Sequence, residues 1–338
     1  MTGKKIFTMC ISFLMVLMFA GGAAWAEFDK FDMDQLSEVP GAKKLYVIQT
    51  TNPMYYDATR YLKPYADGTR KLFTTIADAY AATTSGQGDE IIIMPGFSDV
   101  TLTAGVTISN NNVTIRGVGD KPVIGLAATA GTTDTWVFNI TGDGVRIENL
   151  FIDAPLVDNV AGAIRINDCS RAIVKDIDIK SASLTGNFSF ADTIILDGAQ
   201  EAVIDGIKIS SMNGSTYCPA TFVDLQDAIT NTTIMNCQMF GDVGTAGIID
   251  DVPAYNLALI GNIVAVTGTT KEAVTLDGTG EAVTTGIAVG NYWAGTNTGD
   301  LASAAALGNG MRKFDNHVLS EIDGTVQGTP ISPARDAD

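Results

Sequence analysis

Five charged residues recur at matching places in three similar segments of the chain, and they are the residues best suited to acid–base chemistry. Glu148, Lys175 and Asp205 each follow an apolar position, and Asp178 and Lys208 lie three residues further on in their segments. On stacked strands such side chains point outward, about one strand spacing apart. They form either an acid–base cluster on an exposed face or a solvated surface of mutually compensating charges. Alternation of acid and base favours the compensated surface.

Metal and triad chemistry have little support in the composition. The one histidine, His317, cannot build a multi-histidine metal centre, and a Ser-His-Asp triad would depend on that single imidazole. Loop carboxylates offer oxygen ligands for Ca²⁺ or, as we favour, bond to the local backbone of turns: Asp134, Asp143, Asp153, Asp250 and Asp251. No cofactor is therefore predicted, and Ca²⁺ is the one ion that these residues would suit.

Other residues have the chemistry to contact a sugar. Arg165 projects between Ile164 and Ile166 and would meet a sugar acid, although a plain surface arginine is the simpler interpretation. The rings of Trp136, Tyr292 and Trp293 either form a stacking platform or seal the core and a coil end.

A repeat must position these residues. Six segments share the pattern apolar-x-apolar, a bend residue, then apolar-x-apolar. Their third positions lie 24 to 30 residues apart: Ile147, Val174, Ile204, Ile234, Ile260 and Thr284. The fifth position, with an earlier copy included, holds residues that tolerate positive φ: Gly117, Asn149, Asp176, Gly206, Asn236, Asn262 and Gly286. A further strand recurs half a period away, so the pattern predicts an all-β parallel β-helix of seven to eight coils, each burying its apolar side against its neighbours.

The ends of the chain divide it into four parts. Residues 1–26 read as a signal peptide, with Lys4-Lys5, an apolar run and a small-x-small site that places cleavage before Glu27. Residues 27–72 form an N-terminal segment. Residues 73–290 form the β-helix, which begins with a capping helix over 73–80 that Thr75 and Asp78 would cap. The period is lost after Gly290, so residues 291–338 are expected to cap or cover the coils and end in a loose tail.

One outward column is unexpectedly aliphatic. The second position of successive segments includes Ile173, Val203, Leu259 and Val283. Contiguous exposed apolar surface normally has a partner or a covering segment. We expect either residues 291–330 or another subunit to cover this strip, and the chain's own tail is favoured because it needs no assembly.

Charge and cysteine usage limit the partners. Residues 1–26 hold two lysines and no acid, so the mature chain has 19 Lys and Arg against 38 Asp and Glu. Such a field repels nucleic acid and anionic membrane surfaces. After processing no membrane span is expected, which predicts a periplasmic or secreted protein.

The three cysteines of the mature chain, Cys169, Cys218 and Cys237, do not form a disulfide framework, because an odd number cannot all pair within one chain. Cys237 suits a buried apolar position, and a disulfide between Cys169 and Cys218 is left as an open alternative.

The segments Gly117-Val-Gly-Asp-Lys-Pro122 and Val145-Arg-Ile-Glu-Asn-Leu150 resemble single-domain proteins of phage and prophage genomes that belong to the right-handed parallel β-helix, pectin-lyase-like superfamily. The similarity covers roughly residues 43–330. The superfamily's hydrolase motifs, Gly-His-Gly and Arg-Ile-Lys, are absent. The signal peptide and the absence of a recognisable catalytic set favour an exported, non-catalytic β-helix with a structural or surface-recognition role, whose partner is a carbohydrate or a cell-surface or virion component. The resemblance implies that it derives from a phage or prophage. The alternative is a polyuronate lyase that uses Glu148, Lys175, Asp178, Asp205 and Lys208.

Overall fold

Three parallel sheets wind along one axis, and each turn of the chain contributes one strand to each sheet. The computed structural model describes residues 41–320 except 103, 127–134, 154–159, 183–188, 212–217, 268–270, 277–282, 296–304 and 308–309. Within these residues the chain is an all-β parallel solenoid of about eight turns, which confirms the predicted fold class. The predicted signal peptide and the final residues 321–338 lie outside the described part.

The strands are numbered in chain order, and neighbours within a sheet are hydrogen-bonded to each other. Sheet A contains, from one edge to the other, β2 (Leu72–Phe73), β1 (Lys44–Val47), β3 (Glu90–Ile93), β6 (Thr114–Gly117), β9 (Arg146–Glu148), β12 (Ile173–Lys175), β15 (Val203–Asp205), β18 (Thr233–Met235), β21 (Leu257–Ile260), β24 (Gly286–Val289) and β27 (Met311–Phe314). Sheet B contains β4 (Ser98–Leu102), β7 (Val123–Leu126), β10 (Phe151–Ile152), β13 (Asp178–Lys180), β16 (Lys208–Ser211), β19 (Gln238–Asp242), β22 (Ile263–Thr267), β25 (Tyr292–Gly295) and β28 (His317–Ser320). Sheet C contains β5 (Val106–Ile108), β8 (Trp136–Ile140), β11 (Val160–Asn167), β14 (Phe190–Asp197), β17 (Thr221–Gln226), β20 (Ala246–Asp250), β23 (Glu272–Leu276) and β26 (Ala305–Leu307).

The core is a set of columns that run along the solenoid. In sheet A, Ile147, Val174, Ile204 and Ile234 pair in register from coil to coil, and all four are fully buried. Because side chains alternate across a strand, the residues on either side of each of these point outward. The sequence period therefore located the core correctly over these four coils.

Corners between sheets A and B depend on backbone in the left-handed region. Asn149, Asp176, Gly206 and Asn236 have φ between 51° and 67° at equivalent places in successive coils. This confirms the bend residues that the sequence predicts there. A second column of positive φ precedes the sheet A strands at Arg171, Glu201, Asn231 and Asn256.

Two helices lie among the described residues, and one of them contributes to the core. Helix α1 (Met54–Tyr61) buries no residue, whereas Ile76 and Ala79 of helix α2 (Ile76–Ala81) join the central core. The hydroxyl of Thr75 accepts a hydrogen bond from the backbone N–H of Asp78, as the capping pattern predicts. The helix starts at Ile76 rather than residue 73 because Leu72–Phe73 pairs with β1. Neither helix is long and apolar enough to span a membrane.

The predicted register is wrong by one residue in β21 and by four residues in β24, where Ala288 rather than Thr284 pairs with Leu259. Leu259, not Ile260, pairs with Ile234 and is fully buried, and the corner residue is Gly261 with φ of 63° rather than Asn262. A one-residue slip moves every side chain to the opposite face of a strand. The apolar run Leu257–Ile260 allows either register, so alternation alone could not choose.

The strands also continue past Gly290, where the sequence repeat was expected to end. β25, β27 and β28 pair in parallel with the strands of the preceding coil. Residues 292–295 and 311–320 therefore extend sheets A and B instead of lying across them.

A ladder of asparagines, of which Asn262 and Asn291 are fully buried, joins the last coils. Asn262, Asn291 and Asn316 follow Cys237 at equivalent positions just beyond the corner, and each side-chain amide donates to a carbonyl of the preceding coil. The Asn291 Oδ1 accepts from the backbone N–H of Asn262 at 2.9 Å, and the same contact recurs from Asn291 to Asn316 at 3.2 Å. Each asparagine thus satisfies backbone groups that the corner leaves unpaired.

The two thiols of the interior are structural. Cys237 is fully buried at the start of this ladder, as predicted, and burial raises the pKa of its thiol to about 12. Cys169 is a buried free thiol, so the Cys169–Cys218 bridge that the sequence left open is not formed.

Removing the Ile204 side chain should destabilise the solenoid far more than removing its neighbour. We expect Ile204→Ala to lower the free energy of unfolding by about 2–5 kcal/mol, because it opens a cavity in a stacked column. Val203→Ala is the control, since Val203 is half-buried and outward-facing. Chemical denaturation of both variants measures the difference; equal losses would contradict the inward column.

The asparagine ladder gives a second prediction. Asn291→Ala should cost more unfolding free energy than Asn316→Ala, because Asn291 bonds to groups on both sides and Asn316 ends the described ladder. Each buried group left without a partner costs about 1–3 kcal/mol. Thermal and denaturant unfolding of the two variants test this order, which an equal or larger loss from Asn316→Ala would refute.

Candidate functional site

The five charged residues singled out from the sequence lie on the outer faces of sheets A and B. Glu148, Lys175 and Asp205 form one column of sheet A in direct register, and Asp178 pairs with Lys208 in sheet B. The structure thus brings them together as two columns separated by the corner.

Their charges are largely compensated by neighbours. Lys175 Nζ lies 3.4 Å from Asp205 Oδ2, and Lys121 Nζ lies 2.6 Å from Asp178 Oδ1. Glu148 forms an ion pair with Arg146. A surface in which each acid already has a cation has little free charge to offer a substrate, and such exposed pairs contribute little to stability.

Three of the loop carboxylates considered for Ca²⁺ have local partners. Asp143 accepts from the backbone N–H of Ser170 at 2.8 Å and from its hydroxyl at 2.9 Å, which lowers the pKa of this carboxyl. Asp153 Oδ1 lies 3.3 Å from Lys180 Nζ, and buried Asp250 accepts from the hydroxyl of Thr284. Asp134 lies outside the described residues. The part of the chain that the structure describes contains no group of three or more acidic, histidine or cysteine side chains placed to hold a metal ion.

The aliphatic strip does not have the predicted membership. Leu259 points into the core and Val283 lies before β24 with 41% of its surface exposed, so neither belongs to it. Ile173 and Val203 do lie outward and half-buried, and their column continues through three further residues: Thr233, Ala258 and Ile287. The expected cover is wrong for residues 292–295 and 311–320, which are strands of the sheets.

A different polar surface lies on the outer face of sheet C. Trp136, Ala161 and Ile195 form a small buried cluster that is separate from the core. The Trp136 ring lies across Gly162, where any Cβ would collide with it, so glycine is required there. Ile195 pairs with Arg165 on one side and Asp224 on the other, which places both charged residues on this outer face.

Hydrogen bonds organise the charged groups around this cluster. The Arg165 guanidinium donates to Asp197 Oδ2, and Asp197 is the direct register partner of Gln226. Gln226 Nε2 in turn donates to Asp224 Oδ2 at 2.7 Å. On the neighbouring part of the face, Thr221 Oγ1 donates to Asp192 Oδ1 at 2.9 Å. We call these residues the sheet C polar face: Trp136, Asn139, Arg165, Asp192, Ile195, Asp197, Thr221, Asp224 and Gln226.

Two side-chain oxygens of the sheet C polar face have no hydrogen-bond partner although they are buried. They are Asn139 Oδ1 and Asp224 Oδ1, which lie in the same outward column as Arg165. Asp224 as a whole is only 5% exposed. Buried polar atoms are nearly always hydrogen-bonded, so these two oxygens are exceptions within the fold.

Electrostatics set the Asp224 carboxyl apart. Burial, together with the nearby charges of Asp251, Asp192 and Asp197, raises its pKa to about 6 against the lowering effect of Gln226. Burial likewise raises the pKa of Asp192, which Thr221 partly opposes. Carboxyls with raised pKa values gathered on one face are typical of functional sites. The arrangement can accept hydrogen bonds from hydroxyls or ammonium groups, donate through Gln226 and Arg165, and exchange a proton at Asp224.

The sequence singled out only part of this face. Arg165 and Trp136 were candidates for sugar contact, whereas Asp192, Asp224 and Gln226 were missed. An alignment of the sheet C strands would have placed Asp224 in one column with Ile195 and Arg165, because the residues that precede them, Val223, Ile194 and Ile164, stack on one another.

The aromatic platform considered from the sequence is not formed. Trp293 is buried in the core, and the exposed ring of Tyr292 stacks on His317 with 4.8 Å between the ring centroids.

Similarity to known proteins is confined to solved structures. No family model matches the chain, and no curated protein matches it. A pectin methylesterase in complex with a hexasaccharide is similar with a TM-score of 0.48 and 14% identity, over 86% of this chain and 99% of that one. An alginate lyase from Paenibacillus sp. has a TM-score of 0.35 and 16% identity, over 72% and 95%. ORF18 of Geobacillus virus E2 has a TM-score of 0.37 and 14% identity, over 73% and 57%.

The raised pKa of Asp224 predicts a pH dependence of stability. Between the ordinary pKa of 3.8 and about 6 the folded protein keeps a proton that the unfolded chain has lost, so this group's contribution to stability falls as pH rises through that window. Asp224→Asn removes the effect. The variant should therefore gain stability relative to the parent between these pH values, by on the order of 2–3 kcal/mol.

Asp143→Asn is the control with the opposite sign. Its lowered pKa stabilises the fold above the ordinary pKa, so this variant should lose stability relative to the parent near neutral pH, and the loss should shrink as pH falls. Denaturant unfolding across the pH range measures both differences. A parent and an Asp224→Asn variant with parallel stability curves would contradict the assignment.

Proposed function

We propose that the protein is an exported, non-catalytic solenoid that recognises a glycan on the sheet C polar face. The observation that carries the proposal is the group of charged and amide side chains on this outer face, in which Arg165 is bonded to Asp197 and Gln226 is bonded to Asp224. In this proposal the first 26 residues direct export, and the recognised partner is a carbohydrate of a cell surface or a virion.

The chemistry of the face suits sugar hydroxyls. A hydroxyl donates to a carboxylate or an amide oxygen and accepts from an amide or guanidinium N–H, and the face offers both kinds of group within one column. Arg165 is held by its bond to Asp197, and Gln226 is held by its bond to Asp224. Groups held in this way lose little conformational freedom on binding, which favours affinity.

The alternative, a polyuronate lyase acting through Glu148, Lys175, Asp178, Asp205 and Lys208, is less well supported. The described acids of that surface form ion pairs with neighbouring lysines and arginines. Acidic sugars would also approach a mature chain that has twice as many acids as bases, and this charge disfavours their association. We therefore assign recognition to sheet C and no cleavage to sheets A and B.

Binding to a glycan panel, followed by titration calorimetry on the best ligand, tests the proposal. Asp224→Asn and Arg165→Ala should each weaken binding at least about tenfold, because each removes a charged hydrogen-bonding group from the face. Lys208→Ala is the control on sheet B and should bind like the parent.

Three results would overturn the proposal. Absence of binding to any glycan would remove recognition, and loss of binding in Lys208→Ala alone would move it to the sheet A and B surface. Unsaturated products released from a polyuronate, or new reducing ends that disappear in Asp224→Asn, would replace recognition by cleavage.

A further inference from the structure

Exposed apolar side chains are concentrated in the last coils of the solenoid. The described residues of the stretch 62–239 include no exposed large apolar side chain, whereas eight lie in the stretch 240–314. Each leaves 36–53% of its surface in water: Phe240, Val252, Tyr255, Ile260, Ile263, Val283, Tyr292 and Phe314. Exposed apolar groups gathered in one part of a protein normally mark an interaction surface.

Strand register places five of these side chains on one surface. Ile260 and Phe314 share an outward column of sheet A. Ile263 and Tyr292 share the first outward column of sheet B beyond the same corner, and Phe240 lies on the next outward column of that sheet. Half-buried apolar residues fill positions between them: Met235, Ala258, Ala265, Ile287 and Val289. We call these ten residues the apolar corner surface.

The same columns are charged in earlier coils. The sheet A column of Ile260 holds Lys175 and Asp205. The sheet B column of Ile263 holds Lys208. The strands pair in the same parallel way throughout, so the fold itself does not require apolar residues on the outer face of the last coils.

The apolar corner surface also lacks acids in a strongly acidic protein. Among the described residues of the last four coils, the outward columns of Ile287, Ile260 and Ile263 contain no carboxylate. Asp242 and Asp315 lie at the border of the surface. The mature chain has 38 acids against 19 bases, so two copies repel each other over most of their surface. This repulsion is weakest where the two copies meet through the apolar corner surface.

From these observations we propose that the apolar corner surface is the interface between two copies of this chain related by a two-fold axis. In a two-fold dimer the same patch meets itself, so an apolar surface with a polar border is complementary to its own copy. The inference does not depend on glycan recognition, and it leaves the sheet C polar face free in both copies.

The size of the surface fits a reversible dimer. Its five exposed side chains leave on the order of 400 Å² in water, and the half-buried residues and the polar border bring the face to about 600 Å². Two copies would bury about 1,200 Å² in total, which is the lower end of the range for specific interfaces. We therefore expect a dissociation constant of roughly micromolar order.

The end of the chain is a less suitable cover for this surface. Residues 321–338 follow the last sheet B strand and contain three large aliphatic side chains, Ile322, Val326 and Ile331, but no aromatic ring. A second copy brings five exposed apolar side chains, three of them aromatic. Aromatic rings provide the largest contact area per residue, so the second copy buries more of the surface.

Sedimentation equilibrium of the purified protein between about 0.1 and 100 μM tests the proposal, and we expect a monomer–dimer equilibrium in this range. Ile260→Lys and Phe314→Lys should each raise the dissociation constant at least about tenfold, because each places a charge against its own copy in an apolar interface. Both positions are exposed, on different strands, and unfolding curves show whether each variant is folded.

Tyr56→Lys is the matched control. Tyr56 on helix α1 is 77% exposed and lies outside the apolar corner surface, so the same exchange of an exposed apolar residue for lysine should leave the dissociation constant unchanged.

Four results would overturn the proposal. The first is a protein that stays monomeric at all concentrations, and the second is a dimer that neither Ile260→Lys nor Phe314→Lys weakens. The third is a dimer that Tyr56→Lys weakens as much as they do, which would show association without a defined interface. The fourth is a monomer that dimerises only after removal of residues 321–338, which would show that the end of the chain covers the surface.

Discussion

Backbone pairing between successive coils is the constraint on which the rest of this structure depends. Every strand of the three sheets bonds to the equivalent strand of the next coil, so the corners must recur at equivalent places. A corner between sheets A and B requires left-handed backbone, and Asn149, Asp176, Gly206 and Asn236 supply it in four consecutive coils. Glycine adopts this conformation freely and asparagine and aspartate at small cost, which explains their recurrence in the sequence.

Fixed corners turn each position of a coil into a column, and each column needs one kind of chemistry. The inward column of sheet A is aliphatic. The column just beyond the corner changes from Cys237 to the ladder of Asn262, Asn291 and Asn316. The outward column of Glu148, Lys175 and Asp205 on sheet A alternates in charge, and Lys175 pairs with Asp205. A column that departs from these rules therefore signals a role other than folding.

The sheet C polar face is such a departure. Asp224 lies where its neighbours in the column, Ile195 and Ile249, are apolar, and it is buried with one oxygen unpaired. Holding this carboxyl there raises its pKa and costs stability near neutral pH. A carboxyl that is kept in such an environment is a candidate for a role other than folding.

The amino-acid sequence was sufficient to predict the repeat, the solenoid and the inward residues wherever polar and apolar residues alternate, as around Ile147 and Ile204. It failed at Leu257–Ile260, where an apolar run permits two registers and only the position of Gly261 and the ladder bond of Asn262 selects one. It also missed Asp224, because this carboxyl becomes unusual only when Ile195 and Arg165 from other strands, and Gln226 from its own strand, lie on the same face. Period and alternation are local properties of a sequence, whereas the burial, missing partner and shifted pKa of a side chain depend on which coils lie beside it, and that arrangement exists only in the folded chain.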